Sequence, residues 1–455
     1  MTRTATTSLA EQRRASLDDI LDALGAPALV EVLEARQELL RFGGSRITYQ
    51  HAEQTVLLRA RLVRDGRAAW ATLGTTDLDA VRTLRQQTED ALRFLPRPPA
   101  DEALLPDGAE GPVATTPSAF ASTECAGPVE RARLFVRARD RFPQGTSLGG
   151  SATHAVVRHA VASTAGLRRA ETRTRAVLQV VASLGERSSY GRIVHRDHGA
   201  LADEVDGLLE RIEAGLQPLP TRHLEPGPYP TVLGPQAVDT LLATLGYGAF
   251  GARQVLGGAS VFSDRQGQRV ACEDLTLWDD GADPAGLPTA FDTEGSPKRR
   301  VALIDRGHVA GMVHDRASAR AAGTCSTGHA VPPGWRFGAG PAPSHLVVEP
   351  GRLSDDDLLH SLGQGLFVQR VDYVRVVQPR ITLVTGTTRD ATLWVDGGRL
   401  AARVPQFRFT LRLDHLLASV RAVGTRRERG ELVFLESIVA PALLVEAFPF
   451  GALTA

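Results

Sequence analysis

A proline-rich stretch in the middle of the chain constrains its fold more than any other sequence feature. Residues 217–235 (QPLPTRHLEPGPYPTVLGP) contain six prolines, and proline neither continues a helix nor donates a hydrogen bond within a sheet. The character of the chain differs on the two sides of this stretch. The length of 455 residues allows two or three domains. We therefore predict an N-terminal domain over residues 1–220 and a C-terminal domain over residues 221–455.

The N-terminal side mixes helical and strand-like segments. Apolar residues at helical spacing predict helices over 9–24, 77–95, 128–142 and 201–214, with Asp77 as an N-cap. Strand-like runs cover 46–50, 55–63 and 68–73, and Asp65-Gly66 predicts a hairpin turn between the last two. Residues 170–185 fit either a strand pair or a helix, and residues 96–117 form a loop or linker. The pattern indicates an α/β domain.

The C-terminal side is mainly β in character. After a predicted helix over residues 236–245, short apolar runs at 300–305, 344–349, 380–384 and 392–395 are separated by turn residues such as Gly386. We therefore predict the α+β class. In this prediction, the N-terminal α/β domain is followed by a β-rich domain that is either barrel-like or a curved sheet.

Composition excludes several classes of protein. The 52 basic and 52 acidic residues cancel, and aromatic residues make up 5% of the chain, which argues against a nucleic-acid partner. The chain has no apolar run of about 18 residues and no apolar leader, so we expect neither a membrane span nor a secretory signal. Three cysteines without a C-x-x-C pair indicate neither a disulfide framework nor a zinc ribbon. A cytoplasmic protein is the expectation. Lys298 is the only lysine, which we attribute to the codon usage of a GC-rich genome.

Three short motifs carry residue types that do chemistry, and each has a plain alternative. Gly145 to Gly149 matches G-x-S-x-G, which would make Ser147 a nucleophile, although the polar segment before it also fits a glycine-rich loop. His195 and His198 could share one face of a helix and bind a metal, or they belong to a solvated turn. Cys325 and His329 could form a nucleophile pair, or a turn beside a cavity.

A fourth segment, Phe291–Pro297 (FDTEGSP), places two acidic residues around one position and closes with glycine and proline. Such a loop fits a metal or substrate contact and also fits an ordinary turn. This segment is one of five ordered motifs through which residues 255–351 resemble the TldD/PmbA family of metalloprotease-related proteins. It is similar to the family's F-D-x-E-G-x-P. The other four are GGASVF at 257–262, VALIDRG at 301–307, STGHA at 326–330 and LVVEPG at 346–351.

Two of these motifs depart from the family pattern. His329 stands where the family's S-T-G-N-A has Asn, and His345 stands where its N-x-x-x-x-P-G has Asn. Because the family's Asn is absent at both positions, its role there does not carry over directly to His329 and His345.

The resemblance also separates two types of subunit. Catalytic members, the TldD type, carry H-E-x-x-x-H just after a stretch ending in Leu-Leu, and a cysteine near the C-terminus. Here Leu241-Leu242 is followed by ATLGYGAF at 243–250, and the C-terminal segment 440–451 has no cysteine. The chain thus resembles the TldE type, also called PmbA, which implies a non-catalytic subunit.

The resemblance implies a partner and a substrate class. The chain would form a heterodimer with a TldD-type catalytic subunit and complete an enclosed cavity that processes peptides or peptide-like substrates. Zinc is expected in that partner, with no cofactor, catalytic residue or metal ligand in this chain. Six residues are expected to shape the cavity or contact substrate: Phe291, Asp292, Glu294, Ser326, Thr327 and His329.

Three other functions stay open at this point. The same kind of pair would serve as a tailoring peptidase or amidohydrolase in specialised metabolite biosynthesis. The chain would instead be a stand-alone hydrolase if Ser147 or Cys325 were a nucleophile. A homodimer that holds peptides without cleaving them is the third.

Overall fold

The computed structural model describes residues 15–95, 105–332, 340–432 and 435–452. It confirms the predicted α+β class, with 24% helix and 43% strand. The helices are α1 (Leu17–Leu24), α2 (Leu78–Leu92), α3 (Ala121–Glu124), α4 (Pro128–Arg141), α5 (His198–Ala214), α6 (Pro235–Ala249), α7 (Ala252–Leu256), α8 (Arg316–Ala321), α9 (Asp355–Leu362) and α10 (Leu413–Ala418).

The strands of the first half of the chain are β1 (Ala28–Gly43), β2 (Arg46–Arg64), β3 (Arg67–Leu73), β4 (Ser147–Ser163), β5 (Arg168–Leu184) and β6 (Arg187–His195). Those of the second half are β7 (Gly227–Leu233), β8 (Leu277–Asp279), β9 (Val301–Asp305), β10 (His308–Val309), β11 (His345–Val348), β12 (Gly365–Gln378), β13 (Leu383–Asp396), β14 (Arg399–Arg403), β15 (Arg408–Arg412), β16 (Val420–Leu432) and β17 (Leu435–Phe450).

The strands of the first half form a six-stranded sheet in the order β3-β2-β1-β4-β5-β6. The predicted hairpin is present: β2 and β3 pair antiparallel, and Asp65 and Gly66 between them have φ of 51° and 71°. Positive φ at both turn residues matches the right-handed twist of the strands, which explains the Asp-Gly pair. Residues 170–184 lie in the single strand β5, so both alternatives, the helix and the strand pair, are wrong. Asp77 caps α2 through bonds to the N–H groups of Asp79 and Ala80.

The strands of the second half form an eleven-stranded sheet with the path β10-β9-β8-β11-β17-β7-β12-β13-β14. β15 pairs with β13, and β16 pairs with β17. Within the described residues the path has two ends, so the sheet is open. The β-rich prediction is thus confirmed, and of its two forms the closed barrel is wrong.

The proline-rich stretch contributes a strand to this sheet, which the sequence did not predict. Strand β7 contains Pro228 and Pro230 and lies between β17 and β12. Its pairing with β12 is confined to Thr231–Leu233, beyond both prolines. The prolines are tolerated because β12 does not pair with them, and on the other side of β7 Pro228 lies opposite another proline, Pro449 of β17.

The turn predicted at Gly386 is also wrong. Gly386 lies inside β13, which joins the two runs predicted as separate strands, 380–384 and 392–395, although residues 379–381 form a short 3-10 turn before it. A Cβ at this position would come within 2.6 Å of the Phe409 ring. Glycine is therefore needed here for close packing of β13 against β15.

By internal contacts the described chain groups into two compact units. One comprises Met1–Ala35, Gln54–Ala109 and Arg158–Glu171, and the other comprises Arg36–Glu53, Glu110–Val157 and Thr172–Ala455. The core of the first unit packs α1 and α2 on the sheet around residues such as Leu24, Leu58 and Val81. The boundary near residue 220 stays a prediction.

The second unit has two main clusters of buried apolar side chains. The smaller packs α4 and α5 on strands β4, β5 and β6, around Leu178 and Leu208. The larger surrounds α6, with Leu241, Leu245 and Phe250 against the eleven-stranded sheet. In the described part of the chain, none of the helices is long and apolar enough to cross a membrane.

Candidate functional site

The segment Phe291–Pro297 forms a closed turn in the second unit. Phe291 and Pro297 face each other across an antiparallel bridge, and the N–H of Asp292 donates to the Ser296 carbonyl over 3.0 Å. Gly295 has φ of 78°, a left-handed conformation that favours glycine. Two of its predicted contact residues differ in exposure, because Phe291 is buried and Glu294 is partly exposed. Oε2 of Glu294 accepts from the N–H of Arg316, the first residue of α8, over 3.3 Å.

Asp292 joins this turn to the second predicted loop. Its Oδ1 accepts from the N–H groups of Glu294 and Ser296 over 2.9 and 3.0 Å, and its Oδ2 accepts from the N–H of Ala330 over 2.8 Å. Burial raises the pKa of Asp292 to about 6, while nearby Lys298 and the backbone donors act in the opposite direction. The carboxylate thus fixes the backbone of both loops.

The second loop, Ser326–Ala330, is held by its own side chains. Oγ of Ser326 accepts from the N–H of Gly328 over 3.1 Å, and Oγ1 of Thr327 accepts from the N–H of His314 over 2.7 Å. Gly328 has φ of 74°, and a Cβ there would lie 2.3 Å from the Pro297 carbonyl oxygen. A side chain at this position would push the two loops apart, so glycine is required by both conformation and space.

His329 is completely buried and points away from solvent. Its Nε2 lies 2.8 Å from Oδ1 of Asp279, and its Nδ1 lies 2.9 Å from Oγ1 of Thr327. An ionised carboxylate only accepts, so Nε2 carries a proton, and the Thr327 hydroxyl lies within hydrogen-bond distance of both Nδ1 and the His314 carbonyl oxygen, which is 3.0 Å away. Burial and the nearby Lys298 hold the pKa of His329 below its ordinary value, while Asp279 acts in the opposite direction.

Five residues outside the predicted set complete the network. Oδ2 of Asp279 accepts from the N–H groups of Ser344 and His345 over 2.6 and 2.9 Å. Nζ of Lys298 donates to Oγ of Ser344 over 2.6 Å, and that oxygen lies 2.9 Å from Nδ1 of His345. Nε2 of His345 in turn lies 3.2 Å from Oγ1 of Thr289. Ser344 accepts from the ammonium group, and a neutral His345 donates through one of its ring nitrogens and accepts through the other, which joins Ser344 to Thr289.

The charges in this network are mutually dependent. Burial acts to raise the pKa of Asp279, but His329 and Lys298 hold this pKa well below its usual range. Burial lowers the pKa of Lys298 against the pull of Asp279 and Asp292. It lowers the pKa of His345 to about 4, with Lys298 adding to the effect. The arrangement therefore holds the loops with two buried carboxylates, two buried imidazoles and the sole lysine.

The structure thus brings all six predicted residues together, and it shows what their side chains touch. Asp292, Ser326, Thr327 and His329 bind groups of the protein, and the predicted contact with substrate stays a prediction. The sequence reasoning missed Asp279, Lys298 and Ser344. A signal was present in the sequence, since Lys298 is the only lysine in a chain rich in arginine. We attributed this lysine to codon usage alone.

The segment where the resemblance looks for zinc ligands forms the end of α6. Its first residues, Ala243 and Leu245, are buried in the core, while Thr244 and Tyr247 lie on the partly exposed face. Zinc is bound by thiolate, imidazole or carboxylate groups, and residues 243–250 offer none. The residues present at this position therefore do not fit a zinc ion. Elsewhere in the described ranges, His, Cys, Asp and Glu form no group of three or more arranged to hold a metal.

The other motifs do not assume the geometries that their chemistry needs. Ser147 is the first residue of β4 and follows helix α4, whereas a nucleophile elbow runs from strand to helix. His195 ends β6 and His198 begins α5, so they do not share a helical face. His198 instead pairs with His154, with Nδ1 and Nε2 3.0 Å apart. Cys325 is an exposed free thiol.

Comparisons with known proteins agree on the family. A family model described as the PmbA/TldA metallopeptidase C-terminal domain matches residues 226–452. A metalloprotease TldD homolog of Buchnera aphidicola is 26% identical over 186 residues, which are 40% of this chain and 38% of that protein. A metalloprotease of Methanothermobacter thermautotrophicus is 24% identical over 45% of this chain and 46% of its own length. The matched part of the chain thus spans less than half of either relative.

The fold is similar over a longer range. The crystal structure of TldE from Thermococcus kodakarensis has a TM-score of 0.84 at 20% identity, covering 96% of this chain and all of that one (100%). Sequence motifs, family match and fold lead to one conclusion: the chain belongs to the PmbA/TldD metallopeptidase family.

Proposed function

We propose that this chain is a TldE-like, non-catalytic subunit of a heterodimeric zinc metallopeptidase whose metal site lies on a TldD-type partner. The observation that carries the proposal is the composition of α6. In the catalytic type, this helix would supply two imidazoles and a general base. Here the corresponding residues, 243–250, are built from Ala, Thr, Leu, Gly, Tyr and Phe. Their packing into the larger core makes α6 a structural element.

The C-terminal strand supports the same assignment. The catalytic type would place a cysteine in this region, whereas β17 contains none. Residues such as Val439, Leu443 and Val445 are buried and belong to the sheet interior. The free cysteines of the chain are Cys125, Cys272 and Cys325, all on other elements. Two separate positions therefore support the non-catalytic assignment.

The two loops around Asp292 would form part of the wall of an enclosed peptide-processing cavity. Asp292 binds the backbone of both loops, and Asp279 binds the His329 side chain, so the two loops are held in one arrangement. Glu294, with its partly exposed side chain, would be the member able to reach a bound peptide or the partner. The chain's role in this proposal is to restrict entry and orient substrate, while the partner supplies the zinc chemistry. A cytoplasmic location stays a prediction from the sequence.

The first test is the zinc content of the purified chain, measured by elemental analysis without a metal-affinity tag or chelator. We expect well below one zinc per chain when it is purified alone. Co-expression with a TldD-type protein encoded in the same genome should give a complex with close to one zinc per pair. Peptidase activity should then require both chains.

Two results would overturn the proposal. One is close to one zinc per chain in the isolated protein, which would require a metal site built from other residues. The other is a partner that binds zinc and cleaves peptides at full rate without this chain. Covalent serine- and thiol-directed probes on the isolated chain test the alternative that Ser147 or Cys325 is a nucleophile.

A further inference from the structure

A cavity of about 310 Å³ lies within the second unit. Its walls come from α5, from the starts of α6 and α9, and from strands that include β6, β7, β12 and β14. The described residues that line it lie outside the two loops around Asp292, which span 291–297 and 326–330. The cavity is therefore separate from the candidate site described above. Its volume is at the lower end of the range in which proteins bind small molecules.

The wall of the cavity is apolar. Leu359, Phe367 and Leu400 line it and are only partly buried, although they pack on a cluster of buried side chains. The buried side chains of Leu208 and Leu393 add further apolar surface. An apolar ligand would be stabilised here, because its own surface and that of these side chains would leave water together.

The charged groups that line the cavity are already paired with one another. Nε of Arg426 donates to Oδ2 of Asp355 over 2.6 Å, and Arg426 also binds Glu428. Arg211 lies 3.6 Å from the same oxygen of Glu428, Oε1. Two guanidinium groups and two carboxylates thus balance. The remaining charged residue of the lining, Asp356, is exposed, so water weakens its interaction with a ligand in the cavity.

The same ion pairs disfavour a protein surface as the occupant. The side chains of Arg426, Asp355 and Arg211 are 38%, 40% and 43% exposed, so they form the part of the lining that faces solvent. A protein docked over the cavity would remove these ions from water, which costs free energy. A small molecule inside the cavity would leave them hydrated, so the rim favours a small molecule.

We infer that this cavity binds a small, uncharged and largely apolar molecule, about the size of two fused aromatic rings. An apolar cavity of about 150 Å³ is enough to hold benzene, and this cavity has about twice that volume. The rings would lie against Leu359, Phe367 and Leu400. A single hydroxyl group on such a molecule would stay hydrated at the rim.

A charged molecule of the same shape is the competing ligand. A carboxylate would need Arg211 or Arg426 to give up a carboxylate partner, and an ammonium group would need Asp355 or Glu428 to give up a guanidinium partner. Each exchange replaces one ion pair with another and adds the cost of removing the ligand's charge from water. The contacts therefore favour the uncharged molecule.

The test is a ligand-observed NMR titration of the full chain at pH 7.5 with 2-naphthylethanol. Two compounds with the same rings and opposite charges, 2-naphthylacetate and 2-naphthylethylamine, are titrated in parallel. We expect saturable binding of the alcohol and at least tenfold weaker binding of both charged compounds.

Substitutions locate the binding. Leu400→Trp should fill the cavity and weaken binding of the alcohol by at least about tenfold. Asp203→Asn, at an exposed position of α5 outside the cavity, is the control and should change binding less than twofold. If Leu400→Trp does not fold, Leu359→Trp on the partly exposed helix α9 takes its place.

The inference is overturned if the alcohol does not bind, if either charged compound binds as tightly, or if Leu400→Trp, folded by circular dichroism, binds like the wild type. It is also overturned if binding disappears in a co-purified pair with a TldD-type protein, because the partner would then occupy the cavity. The first three outcomes concern the isolated chain, so they do not depend on the proposed subunit role.

Discussion

His345 makes the stability of this protein depend on pH in a way that a single substitution can isolate. Its side chain is 1% exposed, and burial lowers its pKa from 6.5 to about 4. The folded chain therefore binds fewer protons at this site than the unfolded chain between these two values. The stabilisation is complete above pH 6.5 and is lost as the pH falls toward 4.

The magnitude follows from the two pKa values. Between pH 7.5 and pH 5.0, a histidine with a pKa of 6.5 when unfolded and about 4 when folded reduces the free energy of unfolding by about 2 kcal/mol. Other groups add their own pH dependence, so the informative quantity is a difference between proteins. His345→Asn removes the titrating group but keeps an amide that can bind Ser344 or Thr289. The pH-induced loss in this variant should be about 2 kcal/mol smaller than in the wild type.

The assay is urea unfolding at both pH values, followed by tryptophan fluorescence, since Trp278 on β8 pairs with β11 beside His345. His308→Asn, at an exposed position on β10, is the control and should show the full wild-type loss. If His345→Asn loses as much stability as the wild type between pH 7.5 and 5.0, the reasoning from burial is refuted.

Four other substitutions test the packing and the loops. Gly430→Ala should lower the free energy of unfolding by about 2 kcal/mol, because its Cβ would lie 2.6 Å from Oδ2 of Asp239 and 2.8 Å from Nη2 of Arg192 in their buried ion pair. Gly248→Ala in α6 places a Cβ that meets nothing within 4 Å and should raise the free energy of unfolding by about 0.5–1 kcal/mol. If Gly430→Ala and Gly248→Ala change the free energy of unfolding equally, the packing argument is contradicted. Asp292→Ala leaves three backbone N–H groups without their acceptor and should lower the free energy by about 3 kcal/mol or more, measured by the same unfolding assay. Glu294→Gln should leave stability nearly unchanged and weaken assembly or turnover of the co-purified pair, at unchanged zinc content; normal assembly and turnover would make Glu294 an ordinary turn residue.

Local structure was the part of the fold that the sequence predicted well. Asp77 as a helix cap and Asp65-Gly66 as a hairpin turn depend on neighbouring backbone atoms, and both predictions are confirmed. The errors concern long-range packing. Pro228 and Pro230 were predicted to break the chain, yet they belong to β7. The strand tolerates them because the pairing of β7 with β12 begins after both prolines. Gly386 was read as a turn because its contact with Phe409 on another strand is invisible in the chain order.

The candidate site shows the same division. Its loops were found from their glycines, acidic residues and family motifs, and they do meet in space. Their main anchors were not found, because Asp279 and Ser344 lie outside both motifs, and the contact of Lys298, which directly follows Pro297, is made with a residue far along the chain. The role of Lys298 depends on an oxygen 46 residues away, that of Ser344.

The sequence by itself determined the class of fold, the family and the absence of zinc-binding side chains along residues 243–250, since these depend on residue type, order and spacing. Only the tertiary structure decided that α6 is a core helix, that His329 and His345 are buried and share the carboxylate of Asp279, and that a cavity forms beside Gln236 and Asp355. The physical reason is that burial, hydrogen-bond partners and pKa values depend on which residues meet in space, and those residues come from segments far apart in the chain.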